Sequence, residues 1–119
     1  MKDIMLISGG TLIDGTGADP RPNEGIAIAG NQIVAIGNEA ANVLNDLKSE
    51  ELKELDATGK TIMPGLIDSH LHCSFDDVQS NDELFFHRDP TLVALVAAQN
   101  LRKMLRAGVT SFVDPDTSH

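Results

Sequence analysis

Lys-Thr-Ile-Met-Pro-Gly-Leu-Ile-Asp-Ser-His-Leu-His, residues 60–72, is an apolar run broken at Pro64-Gly65 and ending in Asp68-Ser69-His70-Leu71-His72. A short apolar segment bounded by turn residues predicts a strand. Strand side chains alternate faces with a period of two, so His70 and His72 share a face and Leu71 points away. That spacing puts their α-carbons roughly 6.6 Å apart, within reach of one cation. Two neutral imidazoles suit zinc and similar divalent ions, but two ligands do not complete a site. Paired strand histidines can equally be structural, and spacing alone leaves that open.

Upstream, the apolar run Ile4 to Ser8 meets Gly9-Gly10 and resumes at Thr11-Leu12-Ile13 before Asp14-Gly15-Thr16-Gly17. It predicts one strand bent or bulged at the glycines, or two very short strands. Asp19 to Asn23 holds two prolines, which cannot donate to a ladder, and predicts a loop. Ile26 to Ala29 and Gln32 to Ile36 flank Gly30-Asn31, a pair suited to a primed two-residue hairpin turn. These segments predict a small, mostly antiparallel sheet. Between Asn38 and Asp56 the chain turns acidic, with Val43, Leu44, Leu47, Leu52 and Leu55 spaced roughly helically. One or two short amphipathic helical turns with a solvated acidic face are expected there.

Downstream, Cys73 to Arg88 is a polar, acidic loop around Leu84-Phe85-Phe86. Asp89-Pro90 marks a helix start, an N-cap followed by proline at the first position. Val93, Val96, Ala97, Leu101, Met104 and Leu105 form an apolar stripe at helical spacing, and Gly108 stops the helix. Val109 to Val113 then predicts a second strand. Strand, helix, strand of this length is a βαβ unit with a parallel pair.

Thr61 to His72 resembles the first barrel strand of the amidohydrolase superfamily. Gly9 to Gly15, Asn31 to Gly37 and Ala107 to Ser111 resemble further segments of that family, in the family's order, so the resemblance runs from near Met1 to about Asp114. It implies an α/β fold: residues 60–119 as the first βαβ unit of a (β/α)8 TIM-type barrel, and residues 1–59 as part of a small β-sandwich domain. A full barrel takes about 250 residues, so the architecture is expected to be incomplete in this chain, an amino-terminal portion. The resemblance also implies hydrolysis of carbon–nitrogen bonds in non-peptide amides, cyclic amides or amidines by a metal-activated water. His70 and His72 are then ligands of one or two divalent ions, zinc first among them, and the substrate is a small molecule. The family's remaining ligands come from later strands, so His87 and His119 do not inherit those roles.

Asp68 shares the strand face of His70. It either accepts a hydrogen bond from a ligand imidazole, orienting it, or is a structural carboxylate satisfied by backbone groups. Asp114 ends the second strand and resembles an aspartate common there in the family, with a structural role favoured. Cys73 has no basic neighbour to activate a thiolate and reads as a spectator. His87 lies in a loop and reads as a surface residue.

Among 119 residues, nine Lys and Arg against eighteen Asp and Glu give a net charge of −9. That balance argues against nucleic acid, whose phosphates need cations, and against an anionic membrane surface. No signal peptide or membrane-length apolar run is evident, and a single cysteine suits a reducing cytoplasm. The rival reading is a catalytically inactive fragment acting as a complementing or assembly module. Its exposed strand edges would be covered by another chain or by self-association.

Overall fold

Apolar residues at Ile4, Leu6 and Leu12 face inward along β1 (Ile4–Leu12), the central strand of the first of two compact units, Met1–Pro64 and Gly65–His119. The computed structural model describes residues 3–42 and 52–115. β1 is one strand, not two: its register against β2 (Arg21–Ala29) slips between Ile7 and Gly10 and again before Leu12, and Gly9 supplies a φ of +75°. A hairpin through Gly30-Asn31 joins β2 to β3 (Gln32–Ile36), as the turn chemistry predicts.

Two expectations fail in this unit. The strands from Ile4 to Ile36 pair antiparallel, as expected, and β1 also pairs parallel with β4 (Leu52–Asp56) and β5 (Thr61–Ile62). Leu52 and Leu55 therefore sit in a strand and not a helical turn: the open ladder edge of β1 outweighs a weak helical spacing. Val43, Leu44 and Leu47 lie outside the described residues. The expected loop at Asp19–Asn23 is in part strand, with β2 beginning at Arg21. Pro22 falls between the Leu12–Arg21 and Gly10–Glu24 pairs, where the slipped register spares its missing N–H. Among the described residues of this unit two small clusters are buried, Leu6 with Ala27 and Ala40, and Leu12 with Ala57 and Ile62.

The sequence places the boundary near Gly59-Lys60, whereas the units divide after Pro64, since Thr61 and Ile62 pair with Thr11 and Leu12 of β1.

The second unit is a strand-helix-strand. β6 (Leu66–Asp68) pairs parallel with β7 (Val109–Phe112), and α1 (Pro90–Arg106) lies between them in sequence. At Gly65, entering β6, any Cβ would run into the side chain of Thr110 on β7. Asp89 caps α1, its Oδ1 accepting the Thr91 N–H at 2.7 Å, and Gly108 leaves the helix at a φ of +90°. Val93 is buried in the predicted stripe, but Leu105 is 64% exposed and does not belong to it. A π-helical turn, Glu83–His87, precedes the helix and buries Leu84. With its sheets and connecting helix the chain is an α/β fold.

The strand expected through His72 stops at Asp68. Asp68 Oδ1 accepts the His70 N–H at 3.1 Å, an Asx-type turn that diverts the backbone from the ladder. Two further bonds still tie this segment to the end of β7: Val113 N–H to Asp68 O at 2.9 Å, and Leu71 N–H to Val113 O at 3.0 Å.

Candidate metal centre

His70 and His72 lie just past the end of β6 and nevertheless converge. Their Nε2 atoms are 3.2 Å apart, and the rings meet edge-on with an interplanar angle of 89°. Two nitrogens on a tetrahedral zinc, each about 2.05 Å from the ion, stand about 3.3 Å apart. The observed spacing thus fits one edge of such a site. It is an edge only: among the described residues no group of three or more His, Cys, Asp or Glu side chains is placed to hold a metal ion.

His72 is the better fixed of the two. Its Nδ1 is buried and makes no hydrogen bond of ordinary geometry, yet it lies 3.5 Å from Asp114 Oδ1. That separation is within ion-pair reach but beyond hydrogen-bond length, so the contact orients the ring more than it bonds it. The Asp114 carboxylate thus stands at the Nδ1 edge of the ring, and Nε2 faces His70. One face of the imidazole stacks on Phe75, centroid to centroid 4.3 Å and nearly parallel at 13°. Phe85 braces Phe75 edge-on at 5.6 Å.

Asp114 also accepts the Cys73 N–H through Oδ2 at 3.0 Å. Burial first, then the neighbouring Asp114 carboxylate, pushes the Cys73 thiol upward from its ordinary value and keeps it a thiol. The Asp68 carboxylate holds the backbone of His70. His87 is exposed and pairs with Asp82, Nδ1 to Oδ2 at 3.2 Å. His119 lies outside the described residues.

Two residues absent from the sequence reading hold the loop after His72. Asn100 on α1 donates both amide hydrogens, to Cys73 O at 2.9 Å and to Phe75 O at 2.8 Å. Arg88, its side chain 5% exposed, donates to Ser74 O and to the Asp76 carboxylate, each at 2.9 Å. A signal for Asn100 existed: it is a polar residue in the Val93, Val96, Ala97, Leu101, Met104 stripe. Arg88 had none, being one charge in a charged loop.

Residues 61–119 match the Amidohydrolase family. The N-acyl-D-glutamate deacylase of Alcaligenes xylosoxydans xylosoxydans is 35% identical over 88 residues, 74% of this chain but 14% of the deacylase. Imidazolonepropionase of Desulfotalea psychrophila is 35% identical over 54 residues, 45% of this chain and 13% of that enzyme. Among solved structures, A. niger ochratoxinase superposes with a TM-score of 0.79 at 29% identity, over 96% of this chain and 26% of its own. The chain therefore spans a small part of the length of the curated relatives it matches. Its α/β scaffold and its match across residues 61–119 make it a member of the amidohydrolase family, whose named relatives here are hydrolytic enzymes.

Proposed function

We propose that this chain contributes the opening edge of a metal-dependent hydrolase site that cleaves carbon–nitrogen bonds of small molecules. The carrying observation is the 3.2 Å approach of the His70 and His72 Nε2 atoms. In this reading β6-α1-β7 begins a (β/α)8 barrel, the first unit is part of a small β-sandwich, and His70 and His72 bind zinc or a similar ion. Names of relatives that include a deacylase and imidazolonepropionase support amides and cyclic amides as the substrate class. The chemistry such an ion supplies when bound is Lewis-acid activation of water and of the electrophile under attack.

The chain's own residues prepare for that chemistry. Asp114 stands at the Nδ1 edge of His72, whose Nε2 faces His70. Phe75 covers one imidazole face against water. Asp68 fixes the backbone from which His70 projects. A single cysteine suits a reducing cytoplasm. Among the described residues no helix is long and apolar enough to cross a membrane.

The test is metal content by mass spectrometry of the full-length protein, in which later strands would complete the site, purified without chelators. Stoichiometric zinc in the wild type, lost in both His70→Ala and His72→Ala with the circular-dichroism spectrum retained, is the expected result. Metal content unchanged by both substitutions would overturn the assignment.

A further inference from the structure

We propose that Asn100 is a positioning residue for the His72 imidazole, acting at a distance through the loop that carries Phe75. The inference rests on His70 and His72 being metal ligands and extends that reading to the helix behind them.

After His72, past the last backbone bond to the end of β7 at Leu71, three successive carbonyls, those of Cys73, Ser74 and Phe75, are held by side chains. Asn100 takes the first and third, and Arg88 takes the second. One amide group spending both hydrogens on carbonyls two residues apart sets the curvature of that loop. The curvature in turn lays the Phe75 ring on His72 at 4.3 Å. With Phe75 on its face and Asp114 at its Nδ1 edge, the imidazole has lost the freedom to swing Nε2 away from His70.

The residue type follows from the task. Asp at position 100 has the same shape but no hydrogens, and would turn a carboxylate toward two carbonyl oxygens. Leu would match the apolar stripe yet leave both carbonyls without these donors, a cost comparable to a lost buried hydrogen bond at each. A polar side chain in a half-buried helical stripe is explained by the loop it holds.

The experiment compares wild type, Asn100→Asp, Phe75→Leu and a His70→Ala control, each made in the full-length protein that would complete the site. Two readouts are taken: metal-free NMR shifts of the His72 ring protons, and cobalt(II) titration followed by visible absorption. In the wild type, stacking on Phe75 moves the His72 ring protons upfield of those of exposed His87. Asn100→Asp and Phe75→Leu are expected to shift them back toward His87 and to weaken cobalt binding on the order of tenfold, as loss of an orienting partner does. A folded Asn100→Asp protein with unchanged His72 shifts and cobalt affinity, differing only in melting temperature, would overturn the proposal. Should Asn100→Asp fail to fold, Phe75→Leu decides: unchanged shifts and affinity refute the clamp. Failure of the ligand reading looks different, since a wild type that takes up no cobalt, or a His70→Ala protein that binds it equally, refutes that reading and removes the role assigned to Asn100.

Discussion

Asp114 Oδ2 accepts the N–H of Cys73 at 3.0 Å across 41 residues of sequence, while its other oxygen faces the His72 ring at 3.5 Å. One carboxylate at the end of β7 thus holds both the backbone and the side chain of the segment after β6. Asp114→Ala is expected to lower stability by about 2 kcal/mol, the scale for removing a charged partner of a buried donor. Asp114→Asn keeps an acceptor but no charge, and should fall between that variant and wild type. Urea denaturation of the three proteins checks the order, and equal midpoints would contradict it.

Three Asp-x-Thr turns share one geometry: Asp14 with Thr16, Asp56 with Thr58, and Asp89 with Thr91, the Thr N–H donating to Asp Oδ1 at 3.0, 2.8 and 2.7 Å. In each, the Thr hydroxyl first and the Thr N–H second hold the carboxyl below its ordinary value of 3.8. A group whose folded pKa is depressed stabilises the fold above the unfolded value, and that stability is lost as pH falls through the folded one. Melting temperature should therefore decline below about pH 4. The Asp14→Asn, Asp56→Asn, Asp89→Asn triple variant should show a shallower acid decline, and an identical profile would count against these turns.

Gly65→Ala should destabilise the second unit by about 1–3 kcal/mol, because the new methyl meets Thr110 where β6 and β7 approach. The check is hydrogen exchange at Leu66 and Leu71, whose N–H groups bond to Gly108 O and Val113 O. Both should exchange faster in the variant, with the first unit's amides unchanged.

Ile62→Ala removes a 9%-exposed side chain packed with Leu12 and Ala57 at the short β5 strand. About 2–3 kcal/mol of stability should be lost, the lower part of the range for large-to-small core changes in so small a cluster. A chemical-denaturation midpoint within error of wild type would show that β5 contributes little.

The α1 start at Asp89-Pro90, the Gly30-Asn31 hairpin and the parallel β6–β7 pair were legible because local rules decide them: a cap, a turn and an apolar period. The strand at Leu52–Asp56 was not, since its side chains are exposed and only pairing with β1 makes it a strand. The His-x-His pair was found for a reason the structure changes. Period-two alternation predicted a shared strand face, yet the two rings meet beyond the strand, drawn together by Asp68, Asp114 and the Phe75 loop. Long-range side-chain partners of that kind leave no periodic trace. Only Asn100, a polar residue in an apolar stripe, betrays one.

The mixed pairing of β1 has a kinetic consequence. Its β2 edge closes with nearer partners, from Arg21 opposite Leu12 to Ala29 opposite Ile4, and the β2–β3 hairpin beside it can form in about 1–10 μs. Its other edge is filled twice, by β4 and then β5, with partners about fifty residues away in sequence. A growing chain must extend to Ile62 before that edge can be filled, so until then β1 offers an open template to any passing strand. The first unit is thus expected to fold at the rate of long-loop closure rather than of its hairpin, and to be most prone to mispairing before β5 has docked.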